Sequence, residues 1–246
     1  METTTASYLY QNIARQLQRL WHHWLSLGPC LWCSQQKNQA VLLCTSCQQA
    51  LPRFTGDAEF SNLLSLPAIA NHITHKHIDT LLAFGPYQFP LDQWISGLKF
   101  QLRPELARLL GALLAEHIET TLSYQQSKPD LIMPVPLHWR RLKWRQYNQA
   151  TLLARIVSRR CQIPLAMDDL KRWRSTNTQV GLGGQGRRRN LRGAFRVDLR
   201  GQLPEHVAIV DDVLTSGTTA NELARILKKA GVKRVSVYCV AISLKR

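Results

Sequence analysis

Residues 206–219, His206-Val207-Ala208-Ile209-Val210-Asp211-Asp212-Val213-Leu214-Thr215-Ser216-Gly217-Thr218-Thr219, constrain the chain more than any other stretch. Val207 to Val210 is a continuous apolar run, β-branched at three of its four positions. That pattern suits a strand buried on both faces of a parallel sheet. Asp211 and Asp212 follow where such a strand would emerge, then the small or hydroxylated residues Thr215, Ser216, Gly217, Thr218 and Thr219. Ala220 to Leu227 reads as a helix. Strand, tight loop and helix N-terminus surround a cavity with unpaired backbone N–H groups, and the helix dipole adds to their pull on a phosphate dianion. Gly217 allows close backbone approach, and the hydroxyls add donors. The two carboxylates would repel phosphate. At the carboxyl end of a strand they suit sugar hydroxyls or, through water, a divalent cation. An acidic turn that merely caps the helix is the alternative for Asp212 alone.

A chain of 246 residues can hold one substantial α/β domain and a small appendage. Its 45% apolar content excludes a disordered chain. Thirty-two Lys and Arg against 16 Asp and Glu leave a formal charge of +16, which favours polyanionic company without separating nucleic acid from diphosphate. The N-terminus lacks the basic-then-apolar progression of a signal peptide, and no apolar run is long enough to span a bilayer. A cytoplasmic protein with no integral membrane segment is the expectation.

Cys30-Leu31-Trp32-Cys33 and Cys44-Thr45-Ser46-Cys47 form two CxxC knuckles. Their separation fits a tetrahedral zinc site with Cys30, Cys33, Cys44 and Cys47 as ligands. Four sulfur ligands leave no open coordination position, so such a zinc is structural and folds a module too small for its own core. Lys37 could face DNA from this ribbon, although nothing in its sequence requires it.

Upstream, Leu9, Ile13, Leu17, Leu20, Trp21, Trp24 and Leu25 repeat at helical spacing. The helix they predict either packs on the protein or lies at a membrane surface. Helical stretches are expected over residues 58–64 and 67–73, with His72, His75 and His77 on a solvated helix end. Thr80 to Phe84 reads as a strand, Leu91 to Phe100 as a helix, and Pro104 opens another through Leu122. Asp130 to Pro136 is the next buried strand. A basic loop, His138 to Gln149, follows it and leads to a helix from about Tyr147 to Arg160. A short strand is expected over residues 165–170. Residues 171–190 read as a flap, glycine-rich in the middle and basic at both ends. Gly193 to Val197 then returns to the sheet, and Val235 to Ala241 closes it. Cys161 and Cys239 read as ordinary apolar residues.

The Asp211 loop closely resembles the phosphoribosyl-diphosphate loop of type I phosphoribosyltransferases. The four-cysteine ribbon, Lys99 in Leu98-Lys99, Pro134-Val135-Pro136-Leu137 leading to Arg145-Gln146-Tyr147-Asn148-Gln149, and Arg187-Arg188-Arg189-Asn190-Leu191-Arg192-Gly193-Ala194-Phe195 narrow the likeness. Together they resemble the ComF/GntX family of phosphoribosyltransferase-like proteins, which is associated with DNA uptake and the use of external DNA. The resemblance implies a type I parallel sheet flanked by helices over residues 78–246. A zinc ribbon over 28–51 and an amphipathic helix over 1–27 would precede it. It also implies phosphoribosyl diphosphate and Mg²⁺ as ligands. Asp211 and Asp212 would hold the ribose, and Thr215, Ser216, Gly217, Thr218 and Thr219 the 5-phosphate. Lys99, Arg140 and Arg145 would hold the diphosphate, and Arg187 would close from the flap. A transferase and a non-catalytic single-stranded-DNA-binding protein remain alternatives, and DNA-uptake proteins or a second copy of the chain are further partners to expect. The family usually has Gly where this chain has Gln146. If that position has φ > 0 or turns a bare amide to the ligand, Gln146 weakens diphosphate binding.

Overall fold

The structure, a computed structural model, describes residues 28–35, 42–55, 57, 59–124, 128–174, 193–198 and 204–244. The expected helix over residues 8–27, Lys37 and the flap with Arg187 lie outside the described residues. The chain divides into two compact units, Met1–Leu51 and Pro52–Arg246.

The first unit contains little regular structure among its described residues. Its one described helix is α1, Thr45–Gln49. A tight turn carries Cys30 to Ser34, with Ser34 N–H donating to Cys30 C=O at 2.9 Å. Leu31 N–H reaches Leu42 C=O at 3.0 Å and draws the two knuckles together.

The second unit is built on continuous apolar strands, as its β-branched runs demand. Four strands form a parallel sheet: β1, Thr80–Pro86; β2, Leu131–Pro134; β5, His206–Leu214; and β6, Arg234–Ile242. Their spatial order is β1-β6-β5-β2. Val207 to Val210 and Val235 to Ile242, except for Ser236, are buried apolar residues. Each larger one contributes roughly 1.5–3 kcal/mol. Alternate residues face opposite layers. One layer is α7, Thr218–Lys229, whose Leu223 and Leu227 join Leu81, Val207, Ile209, Val235 and Val237 in one core. The other layer holds α4, Leu106–Leu122, and α6, Gln149–Cys161, which pack on each other and on the sheet. Gly111 lets them approach closely, since a Cβ there would lie 2.7 Å from Ile156 Cδ1.

Several elements differ from the sequence expectation. Residues 59–73 form only a 3₁₀ turn, Leu63–Ser65, and a single helical turn, α2, Pro67–Ala70. Asn62 explains the short turn: its Oδ1 accepts N–H from both Leu64 and Leu81, tying the segment to β1. The basic segment expected as a loop contains a helix, α5, Trp139–Arg145, capped by His138. The segment Phe195–Val197 (β4) does not return to the main sheet but pairs antiparallel with β3, Leu170–Arg172. Leu165 makes only an isolated bridge to Ile132. Strand β6 lies inside the sheet between β1 and β5. The helix α3, Leu91–Phe100, has the expected bounds.

Candidate functional site

Strand β5 does not end before its acidic pair. Asp211 pairs with Cys239, and Val213 with Ala241, so Asp211 projects from paired backbone and Asp212 sits between two paired positions. Asp211 Oδ1 accepts the Asp212 N–H at 2.9 Å, and Asp212 Oδ1 accepts the Val213 N–H at 2.6 Å. Successive strand residues point to opposite faces, so Asp212 turns toward the layer of α3, α4 and α6. There the Lys99 Nζ, from the last turn of α3, meets Asp212 Oδ1 at 2.8 Å. Burial, then the neighbouring Asp212 carboxylate, pushes Asp211 up to about 7 against the opposing pull of Lys99.

Both aspartates open onto a cavity of about 360 Å³ at the carboxyl ends of the strands, the position an α/β sheet offers to ligands. Lys99, Arg141, Arg145 and Arg172 line it, with Tyr87, Asn148, Gln149, Thr215, Thr219 and Ser243. Four cationic side chains thus face two carboxylates. Burial lowers the pKa of Arg172, as does the nearby Arg141. A polyanion entering the cavity would relieve that repulsion.

Each element has a local reason for its placement. Arg141 and Arg145 stand four residues apart on α5 and share a face. Arg140 falls on another face, exposed, with its guanidinium carbon 5.4 Å from the Trp139 ring centre. Reading the segment as a loop singles out Arg140; in the helix Arg141 and Arg145 line the cavity and Arg140 does not. Gln146 ends α5 with φ +64°, the left-handed conformation that favours glycine. The three residues after it act as stitching. The Tyr147 hydroxyl donates to Leu98 C=O at 2.7 Å, Asn148 Nδ2 donates to Val135 C=O at 2.9 Å, and Gln149 Nε2 reaches Leu98 C=O at 3.5 Å. Arg145 donates to Gln149 Oε1 at 3.2 Å and lies 5.2 Å from the Phe100 ring centre. Its buried Nε has no hydrogen-bond partner among the described residues.

The loop Thr215 to Thr219 divides its tasks. Thr215 and Thr219 line the cavity. Ser216 Oγ and Thr218 Oγ1 bond each other at 2.9 Å. Gly217 is the N-cap of α7 with φ +68°, and a Cβ there would lie 2.4 Å from Ile73 Cγ2 and 2.7 Å from Thr74 C=O. Close packing, rather than ligand approach alone, requires this glycine. No side chain caps α7, which leaves first-turn N–H groups for an outside acceptor.

In the first unit, the sulfurs of Cys30, Cys33, Cys44 and Cys47 all lie within 4.8 Å of one another. Cys33 and Cys44 are 3.8 Å apart, which matches the edge of about 3.8 Å that sulfurs about 2.3 Å from a tetrahedral zinc would form. The Cys44 N–H points at Cys30 Sγ from 3.4 Å, the usual support for a metal-bound thiolate. The donor set fits a closed site that could hold a metal ion.

Arg141 could have been found from its i,i+4 relation to Arg145 once a helix was recognised. Arg172, Tyr87 and Ser243 carry no local signal, because only the topology brings them to the cavity. Among the described residues no helix is long and apolar enough to cross a membrane.

Known proteins resemble this chain along most of its sequence. The phosphoribosyl transferase domain family matches residues 147–245, which include β5, the acidic pair and α7. Competence protein F of Haemophilus influenzae is 35% identical over 81% of this chain and 90% of its own. The DNA utilization protein YhgH of Escherichia coli O157:H7 is 35% identical over 90% of this chain and 92% of its own. YhgH of Salmonella typhimurium is 33% identical over the same shares. A four-cysteine cluster, a parallel sheet bearing the Asp211 loop and likeness along most of the sequence place this chain in the ComF/GntX family of phosphoribosyltransferase-like proteins.

Proposed function

We propose that the cleft binds phosphoribosyl diphosphate with Mg²⁺ in a protein that serves DNA uptake or the use of external DNA. The observation that carries this reading is the cavity itself, where a carboxylate pair stands between a cationic wall and the uncapped N-terminus of α7. Asp211 and Asp212 would accept hydrogen bonds from the ribose hydroxyls. Thr215, Thr219 and the first-turn N–H groups of α7 would donate to the 5-phosphate, with Ser216, Gly217 and Thr218 shaping that loop. Arg141, Arg145, Arg172 and Lys99 would face the diphosphate and stabilise the charge it gains as a leaving group. Mg²⁺ would supply further charge neutralisation on the diphosphate. No covalent residue is needed for such a transfer, and the acceptor is left open. In the first unit, the four thiolates would hold a structural zinc. The test is to soak crystals with the ligand and Mg²⁺. A 5-phosphate bound away from Thr215 to Thr219 rejects the assignment.

A second reading, binding of single-stranded DNA, is favoured by three exposed tryptophans. Trp139, Trp144 and Trp173 are 60%, 63% and 65% exposed. Each has an arginine over its ring, Arg140, Arg145 and Arg196 respectively, the last at 4.2 Å. Aromatic faces among cations suit stacking on unpaired bases. Titration with a fluorescent oligonucleotide at two salt concentrations tests it. Affinity that is absent, or indifferent to salt, rejects it.

A further inference from the structure

Lys99 lies on the cavity wall that would face a diphosphate. Its present partner is different. The ammonium sits 2.8 Å from Asp212 Oδ1, an oxygen that also accepts the Val213 N–H. The two side chains are 21% and 8% exposed, so solvent screens the pair far less than it would on an open surface. The root of Lys99 is fixed, because the Leu98 carbonyl before it is held by Tyr147 and Gln149. Its four-carbon stem is not, and Nζ lies on the wall of the same cavity as Arg141, Arg145 and Arg172. An ammonium and a hard divalent cation compete for one carboxylate oxygen, since each needs it as a close ligand.

We propose that Lys99 is the resident counter-ion of the acidic pair. It keeps divalent cations off Asp212 until a phosphorylated ligand draws its ammonium to the diphosphate side. The inference rests on the ligand reading above and adds an order to it: the metal enters with the ligand, not before it. Lys99 is therefore a positioning residue in the ligand-free cleft and a ligand contact afterwards. A bare lysine on the diphosphate side would leave the carboxylates open to metal alone, and the two arrangements are experimentally distinct.

The test uses the full, zinc-loaded chain and Mn²⁺ alone as probe, followed by electron paramagnetic resonance. Mn²⁺ favours oxygen ligands and competes poorly for a four-thiolate site. Wild type should bind Mn²⁺ weakly, and Lys99→Met should bind it at least about tenfold more tightly, because the competing charge is gone while the carboxylates remain. Lys99→Arg, which keeps the cation, should behave as wild type. Lys99→Met combined with Asp212→Asn should return to weak binding, which assigns the gain to Asp212 and guards against a misfolded variant. Equal Mn²⁺ affinity in wild type and Lys99→Met overturns the proposal, as does a gain that survives Asp212→Asn. A parallel titration of wild type with phosphoribosyl diphosphate and Mg²⁺ separates the two ideas. No binding there rejects the ligand reading, whereas binding there with unchanged Mn²⁺ affinity in Lys99→Met rejects only the counter-ion role.

Discussion

The four thiols of the first unit and the two carboxylates of the second both gather groups that repel one another once ionised, but they resolve that repulsion differently. The sulfurs lie within 4.8 Å of one another. Burial and the neighbouring thiols push Cys47 up to about 12, while backbone N–H groups, outweighing burial, bring Cys30 down to about 6. Such a set ionises fully only around an external cation. The aspartates have an internal cation in Lys99 and further positive charge in Arg145. A cluster that must import its counter-charge suits a metal held permanently for structure. A cluster that carries its own could exchange it, as the proposed ligand site would require.

The largest expected effect lies in the thiols. The protein as isolated should carry about one zinc per chain, and Cys33→Ser should lose it, because structural zinc in small modules contributes an apparent ~10–16 kcal/mol. Elemental analysis and limited proteolysis within residues 42–51 measure this. Full zinc retention in the serine variant would break the contrast at its first term.

Gly217→Ala should come next. It sets a Cβ 2.4 Å from Ile73 Cγ2 at φ +68°, and a loss of about 2–4 kcal/mol in urea unfolding is expected from overpacking and backbone strain combined. A loss under about 0.5 kcal/mol would mean that this loop yields easily and does not form a fixed wall.

The acidic pair sharpens the contrast through pH. Asp211 is raised from 3.8 to about 7 by burial and by Asp212. A carboxyl raised on folding contributes its stability fully below about pH 4 and loses it as pH climbs through about 7. Asp211→Asn should therefore match wild type in melting temperature near pH 4 and exceed it at pH 8 in metal-free buffer. Binding of the Mg²⁺-loaded ligand to wild type should strengthen over the same rise. A variant less stable than wild type at pH 8 would show that Lys99 and Arg145 fully compensate the pair.

The smallest effect concerns Gln146. Its φ of +64° is costly for any residue but glycine, and its side chain recovers part of the cost by donating to Lys143 C=O at 2.7 Å. Gln146→Gly should stabilise the fold by up to about 1 kcal/mol in thermal melts. A destabilised glycine variant would make the side-chain bond the stronger term.

How much of this was legible follows from where the information lies along the chain. The thiol site is written in two knuckles, whose CxxC spacing already pairs the four sulfurs that the structure brings together. The Asp211 loop is likewise contiguous, and its strand, turn and helix follow one another in both sequence and space. Arg140 against Arg141 shows the limit: the charge was visible, but which arginine lines the cavity depends on α5, and tryptophans among arginines masked its periodicity. Tyr147, Asn148 and Gln149 belonged to a recognisable motif, yet their work is to hold Leu98 and Val135, which no local pattern reveals. The Lys99–Asp212 pair joins two elements far apart in sequence, so it needed the fold.

The position of β6 has a consequence for how the chain is made. Strand β1 is bonded to β6 alone among the named strands, with Thr80 opposite Ser236, and β6 also lies along β5. During synthesis β1 therefore emerges long before its neighbour in the sheet; Phe54 and Asn62, both upstream, can already bond Phe84 C=O and the Leu81 N–H, but its parallel partner is still to be translated. The sheet closes only once residues 234–242 have been made. A chain that ends short of residue 234 lacks β6 and leaves the facing edges of β1 and β5 unpaired, which makes it a natural client for chaperones.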